Sequence, residues 1–322
     1  MADARQEAER AIKLLGDQDG PKMDYGKQPQ LEDFVQGLIK QNLCATIGIK
    51  HEMDAVYITC VYPQQTKLMK FDNISISSYE TFCRDLLKID PKEQYNCCRT
   101  CLIEGVFTRV YAIMPPFTKS PNITISTTKQ PPATLEKNTI PDEAWDEIVH
   151  SNFIILGPSG SGKTYLMNYL LSKYIKQTER LAIIEEFGEL IPPNPLTISI
   201  LVPPVKPGET HLLQFITQQA NLMRLDMTCI GEVKGAEAWP LIVQGASGTR
   251  ISCTIHGDNL NMALNRIKAL CYTSCDNAEA IEEMIAKGIK YAITMKKRQI
   301  VRIEKLMGTH NHNNFAAQEI YS

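Results

Sequence analysis

Gly157-Pro158-Ser159-Gly160-Ser161-Gly162-Lys163-Thr164 fits the pattern G-x-x-x-x-G-K-[ST]. Glycines at these positions let backbone N–H groups turn inward around phosphate oxygens. A helix that starts at the end of the loop adds its positive N-terminal end to the same anion. The flanks supply both parts. Asn152 to Leu156 is a short apolar run that reads as a strand, and Thr164 to about Tyr174 has a helical pattern. In this arrangement Gly157, Pro158, Ser159, Gly160, Ser161 and Gly162 form the cradle. Lys163 reaches the β- and γ-phosphates, and the Thr164 hydroxyl is a Mg²⁺ ligand. The loop implies a nucleoside triphosphate and by itself leaves open a motor, a kinase or a GTPase.

Downstream, Leu181 to Ile184, Met227 to Ile230 and Ile251 to Ile255 are further short apolar runs, with helical patterns between several of them. That rhythm predicts parallel strands joined by crossover helices. In such sheets ligands bind at the carboxyl ends of the strands. Here those ends carry Glu185-Glu186-Phe187-Gly188-Glu189, then Gly231-Glu232, then His256. Taken singly, a glutamate at a strand end reads as a solvated edge and a lone histidine as a structural residue. Four strand ends aimed at one crevice, the glycine loop included, read as a site.

Upstream, the style differs. Residues 1 to about 28 read as a polar, flexible segment, and Asp33 to Gln41 as a short amphipathic helix. Val56 to Tyr62 is rich in β-branched and aromatic residues and predicts a strand. Tyr79 to Leu87 reads as a helix, Cys101 to Met114 as strand turning at Glu104-Gly105, and Asn122 to Thr127 as a last strand. Pro131, Pro132 and Pro141 mark a linker. The expected partition is a flexible segment 1–28, an α+β domain 29–128, a linker 129–140 and a nucleotide-binding α/β domain 141–322.

Composition bounds the rest. The chain has 322 residues, 43% hydrophobic and 22% charged, which places it with globular proteins. Its 34 basic residues against 36 acidic ones leave no basic excess to point to nucleic acid. The charged start Met1-Ala2-Asp3-Ala4-Arg5-Gln6-Glu7 has no apolar core, so it does not read as a signal peptide. No apolar stretch is long enough to span a bilayer, and Leu190 to Val205, though poor in charge, holds five prolines. Ten cysteines in such a chain suggest reduced thiols. Cys98 and Cys101 form one tight C-x-x-C and Cys271 and Cys275 a looser pair, and one tight pair is half of a structural zinc site.

The ordered set Gly157–Thr164, Ile184-Glu185-Glu186-x-x-Glu189-Leu190, Ile230-Gly231-Glu232-Val233-Lys234-Gly235-Ala236-Glu237-Ala238 and Thr254-Ile255-His256 resembles the secretion ATPases. These power type II and type IV secretion, conjugation and pilus assembly. The four pieces correspond to their Walker A, acidic box, atypical Walker B and histidine box. The resemblance covers about residues 105 to 322 and is weak before that. It departs from the family at Glu186, where the acidic box usually has Asp, at Lys234, where Arg is usual, and at Gly245-Ala246-Ser247-Gly248, where a Gly-His pair is usual.

The resemblance implies a RecA-like P-loop C-terminal domain with a smaller α+β N-terminal domain, assembled as a homo-hexamer that hydrolyses ATP with Mg²⁺. Catalytic roles then fall to Lys163, Glu189 as the residue orienting water, Glu232 in the Mg²⁺ shell and His256 as the γ-phosphate sensor. Glu185 joins the nucleotide-contacting set, and Arg109 is the candidate to reach a neighbour's nucleotide. Implied partners are inner-membrane platform or channel proteins, with the chain cytoplasmic and peripheral at the inner face of the membrane. Two other classes share the core motifs. A RecA-like DNA translocase or helicase needs a nucleic-acid track, and no Lys/Arg-rich or aromatic-interleaved stretch provides one. A nucleotide-dependent regulator without turnover would bind ATP and not hydrolyse it.

Overall fold

Alternation of buried and solvated residues builds the first half of the chain, and unbroken apolar runs build the second. The computed structural model describes residues 30–41, 46–61, 66–90, 97–103, 106–115, 117–127, 140–202, 212–310 and 314–321. The chain divides into two compact units, Met1–Lys129 and Gln130–Ser322. The expected segment 1–28 lies outside the described residues, as does the expected linker apart from Ile140.

The N-terminal unit opens with α1 (Leu31–Gln41), followed by β1 (Thr46–Glu52), β2 (Ala55–Val61), β3 (Thr66–Asp72), α2 (Ile76–Asp85), β4 (Cys97–Ile103), β5 (Val106–Ile113) and β6 (Asn122–Thr127). The six strands form one antiparallel sheet in the order β3-β2-β1-β6-β5-β4. Its core joins Phe34, Val35, Leu38 and Ile39 of α1 to Ile47, Ile58, Val110 and Ile125 of the sheet. Tyr79 is fully buried there, and its hydroxyl donates to the Pro121 carbonyl at 2.7 Å, so the polar tip is satisfied. The expected strand 122–127 is β6, and the expectations at 56–62, 79–87 and 101–114 overlap β2, α2, β4 and β5, with Tyr62 and the expected turn at Glu104-Gly105 outside the described residues. Strands β1 and β3 carry no such expectation. In β3 only Phe71 is buried, and the strand alternates half-buried and exposed residues at the sheet edge. That edge position leaves little hydrophobic pattern to read.

The C-terminal unit runs α3 (Asp142–Val149), β7 (Phe153–Leu156), α4 (Lys163–Tyr174), β8 (Leu181–Glu185), β9 (Ile198–Leu201), α5 (Leu212–Ala220), β10 (Met227–Ile230), α6 (Ala238–Ala246), β11 (Arg250–Ile255), α7 (Leu260–Cys271), α8 (Ala278–Gly288), β12 (Tyr291–Lys296), β13 (Gln299–His310) and β14 (Asn314–Tyr321). The sheet order is β14-β13-β12-β7-β11-β10-β8-β9. All neighbours from β12 to β9 are parallel, and β13 and β14 add an antiparallel edge. Helices cover both faces. Trp145, Leu166 and Leu170 of α3 and α4 pack with Phe153, Ile155 and Ile183 on one side. Leu241, Leu264 and Ile285 of α6, α7 and α8 pack with Ile154, Ile184 and Ile230 on the other. Every residue of β7, β8 and β10 is buried, as expected for strands sandwiched between two helix layers. No helix among the described residues is long and apolar enough to cross a membrane.

Candidate nucleotide site

The glycine loop leaves β7 at Gly157, whose φ is +154°. A Cβ there would stand 2.3 Å from the Met295 carbonyl oxygen of β12, so the neighbouring strand excludes any side chain. Gly160 and Gly162 are left-handed, with φ of +72° and +95°. A Cβ on Gly160 would meet no protein atom within 4 Å, which leaves open space above the loop. Pro158, Ser159 and Gly160 form the exposed tip, and Ser161 is buried beneath them. Helix α4 starts at Lys163, at the end of the loop.

Lys163 is 8% exposed, and its ammonium donates to the carbonyls of Gly157 at 2.9 Å and Pro158 at 3.0 Å. Burial pulls its pKa below the usual lysine value, opposed by the nearby Glu232 carboxylate. The same ammonium lies 3.4 Å from His256 Nδ1, and His256 Nε2 lies 2.7 Å from Glu232 Oε1. This joins three segments that follow strand ends: the lysine that opens α4 after the β7 loop, the histidine after β11 and the glutamate after β10. With Nδ1 accepting from lysine, Nε2 carries the proton and donates to Glu232. Strand register holds the geometry, because β11 pairs with both β7 and β10. Thr254 Oγ1 also donates to the Gly231 carbonyl at 2.7 Å.

The acidic box takes its shape from Glu185. This last residue of β8 is 7% exposed. Its Oε2 accepts the Glu189 N–H at 2.8 Å, and its Oε1 accepts the Leu190 N–H at 3.0 Å. Both oxygens therefore hold the turn instead of facing the loop. Burial pushes the carboxyl up to about 7, against two backbone N–H groups that favour the ionised form. Gly231 makes room for it: a Cβ at 231 would stand 2.8 Å from the Glu185 Cβ. The turn places Glu189 beside the loop, where the Thr164 hydroxyl donates to Glu189 Oε2 at 3.5 Å. Glu186 points elsewhere and pairs with Lys234, whose ammonium also lies 5.1 Å from the Phe187 ring centre.

Asn168 escapes the sequence reading, and Glu237 enters it only within the stretch after β10, with no role of its own. Asn168, one helical turn after Thr164, donates to the Glu189 carbonyl at 2.8 Å and accepts the Ile191 N–H at 2.9 Å. Buried Glu237 accepts the Lys234 and Gly235 N–H groups at 2.7 and 2.8 Å and so closes the turn after Glu232. The available signal was an amide on an otherwise apolar stretch of α4, Leu166 to Leu171. Arg109 sits in β5 of the N-terminal unit, half-buried, opposite Thr100 and Ser126.

The residues present suit a nucleotide with Mg²⁺. The loop offers a glycine-lined space, α4 opens on it, and Thr164, Glu189 and Glu232 offer the hard oxygen donors that Mg²⁺ takes.

Residues 138–319 match the family described as Type II/IV secretion system protein. Among curated proteins, none matches the sequence. Among solved structures, the ATPase DotB of Legionella pneumophila is similar at 14% identity and a TM-score of 0.59, over 93% of this chain and 82% of that one. The DotB ATPase of Yersinia pseudotuberculosis is similar at 12% identity and 0.58, over 90% and 78%. The pilus retraction motor PilT, solved with bound ADP, is similar at 13% identity and 0.59, over 91% and 83%. At such identities these likenesses show a shared fold, the RecA-like α/β architecture. The family match spans more than half of the chain and carries all four motifs, so this chain belongs to the type II/IV secretion system protein family.

Proposed function

We propose that this chain is the ATP-hydrolysing subunit of a secretion or pilus-assembly motor, working as a homo-hexamer. The observation that carries the reading is the contact chain from Lys163 through His256 to Glu232 beside the glycine loop. Phosphoryl transfer to water needs positioning and charge neutralisation more than covalent help. Mg²⁺, when bound with the nucleotide, would neutralise charge on its phosphates. Lys163 exchanges its two carbonyl partners for phosphate oxygens. Thr164 and Glu232 would hold the metal, and His256, held by Glu232, is placed to register whether a γ-phosphate engages Lys163. Glu189 orients the attacking water. Glu185, Asn168 and Glu237 position these groups and touch no reacting atom.

In the same reading, residues 29–128 and 141–322 are domains joined at 129–140, with Pro131 and Pro132 limiting the reach of the hinge. Nucleotide turnover changes the angle between them. Arg109 acts on a neighbouring subunit's nucleotide, where a guanidinium can fork onto phosphate oxygens. The partners are platform or channel proteins at the cytoplasmic face of a membrane, and the motor drives substrate transfer or pilin movement. The test is phosphate release by the assembled full-length protein. It should require Mg²⁺ and disappear in Lys163→Ala. Phosphate release no greater than that of Lys163→Ala would end the motor reading.

A further inference from the structure

The turn between β12 and β13 lies against the glycine loop, and no motif reading includes it. Lys296 pairs with Gln299, so Lys297 and Arg298 are the two central residues of a tight hairpin. Both are left-handed, with φ of +47° and +65°. Such turns favour Asn and Gly, because a Cβ is crowded there. Two long cations stand where the backbone asks for glycine.

The turn is fastened to the loop. The Arg298 N–H donates to the Ser161 carbonyl at 3.1 Å. Arg298 Cα and Cγ lie 3.5 and 3.7 Å from the position of a Cβ on Gly162. The Arg298 stem therefore crosses the residue directly before Lys163 and Thr164. Its side chain is exposed, and among the described residues Arg298 takes part in no ion pair. A planar, permanently charged fork starts beside the phosphate cradle with no carboxylate to hold it.

We propose that Arg298 is a phosphate-binding residue of the same subunit, its guanidinium closing over the polyphosphate of the nucleotide in the glycine loop. The inference rests on the nucleotide reading above and adds a ligand to that site. Packing alone would need only the backbone N–H, which any residue but proline supplies.

The decisive variant is Arg298→Gly, which keeps the N–H and suits the left-handed φ. Equilibrium binding of ADP and of inorganic tripolyphosphate to the full-length protein should be compared for wild type, Arg298→Gly and Arg298→Lys. Thermal melting of each reports folding. Arg298→Gly should melt no lower than wild type and bind both probes about tenfold more weakly, the loss expected for one charge-assisted hydrogen-bonding partner. Arg298→Lys should recover part of the loss. Wild-type affinity for both probes in Arg298→Gly would overturn the inference and leave a purely backbone role. Loss toward ADP but not tripolyphosphate would also overturn it, by moving the side chain to the base or ribose. A folded wild-type chain that binds neither probe would overturn the nucleotide reading itself, and this inference with it.

Discussion

The two sheets of this chain solve different problems. The N-terminal sheet is antiparallel, and its charged residues lie along its strands: Lys50 pairs with Glu52, and Lys70 with Asp72. The C-terminal strands β7, β8 and β10 are buried along their whole length, and their charge is held back to the carboxyl ends. A strand covered on both faces can carry a polar group only where the cover stops. For that reason Lys163, Glu185, Glu232 and His256 collect at one end of the sheet. The N-terminal unit, with charge spread over its surface, has no comparable focus among the described residues.

Removing a charge at the focus should have the largest effect. Glu189→Gln should bind ATP near normally and lose about 10²–10⁴ in turnover, roughly 3–5 kcal/mol of barrier. Glu186→Gln should be milder, since Glu186 faces Lys234, and Glu185→Gln intermediate. Single-turnover hydrolysis with nucleotide affinity for all three decides the order. If Glu189→Gln retains more than about a third of wild-type turnover while Glu185→Gln is dead, the water-orienting group is at the strand end.

Next in size is packing. Ile155→Ala, at a fully buried position of β7, should cost about 2–5 kcal/mol. Leu68→Ala, on the exposed edge strand β3, should stay within about 0.5 kcal/mol. Urea titration of both variants measures the gap. Equal costs would erase the contrast between the sheets.

The effect spread most thinly, over a range of pH, belongs to Glu185. Its carboxyl is raised from 4.5 to about 7, so between those values the folded chain holds a proton more tightly than the unfolded chain. Its contribution to stability is fully present below pH 4.5 and lost as pH rises to about 7. The total is on the order of 3 kcal/mol. Glu185→Gln adds a constant cost, because an amide N–H₂ faces backbone N–H groups, but it should remove this slope. Denaturation of both proteins at several pH values across the window compares the slopes. Parallel curves would mean that Glu185 does not titrate there.

The contrast between the sheets also explains what could be read in advance. β7, β8, β10 and β11 were legible because double-sided burial writes an unbroken apolar run. The loop was legible because its spacing follows from phosphate chemistry, and the carboxylates after those runs because they stand at strand ends in the order that resembles the secretion ATPases. Strands β1, β3 and β9 were not, since Lys, Thr and Ser interrupt them at exposed positions. Glu185 was legible as an acid of the site but not as the clamp of its own turn, because spacing cannot tell which way a carboxylate faces. Arg298 left no trace, because Lys-Arg is not a recognised hairpin signal.

One contact couples two stretches of chain that lie 46 residues apart. With 2.8 Å between the Glu185 Cβ and the place a Cβ would take on residue 231, the acidic box and the turn before Glu232 share a single volume. An alanine at 231 would displace Glu185, free the N–H groups of Glu189 and Leu190, and disturb Thr164 from a distance. Mutational libraries should therefore vary 185 and 231 jointly, because the two motifs constitute one mechanical part.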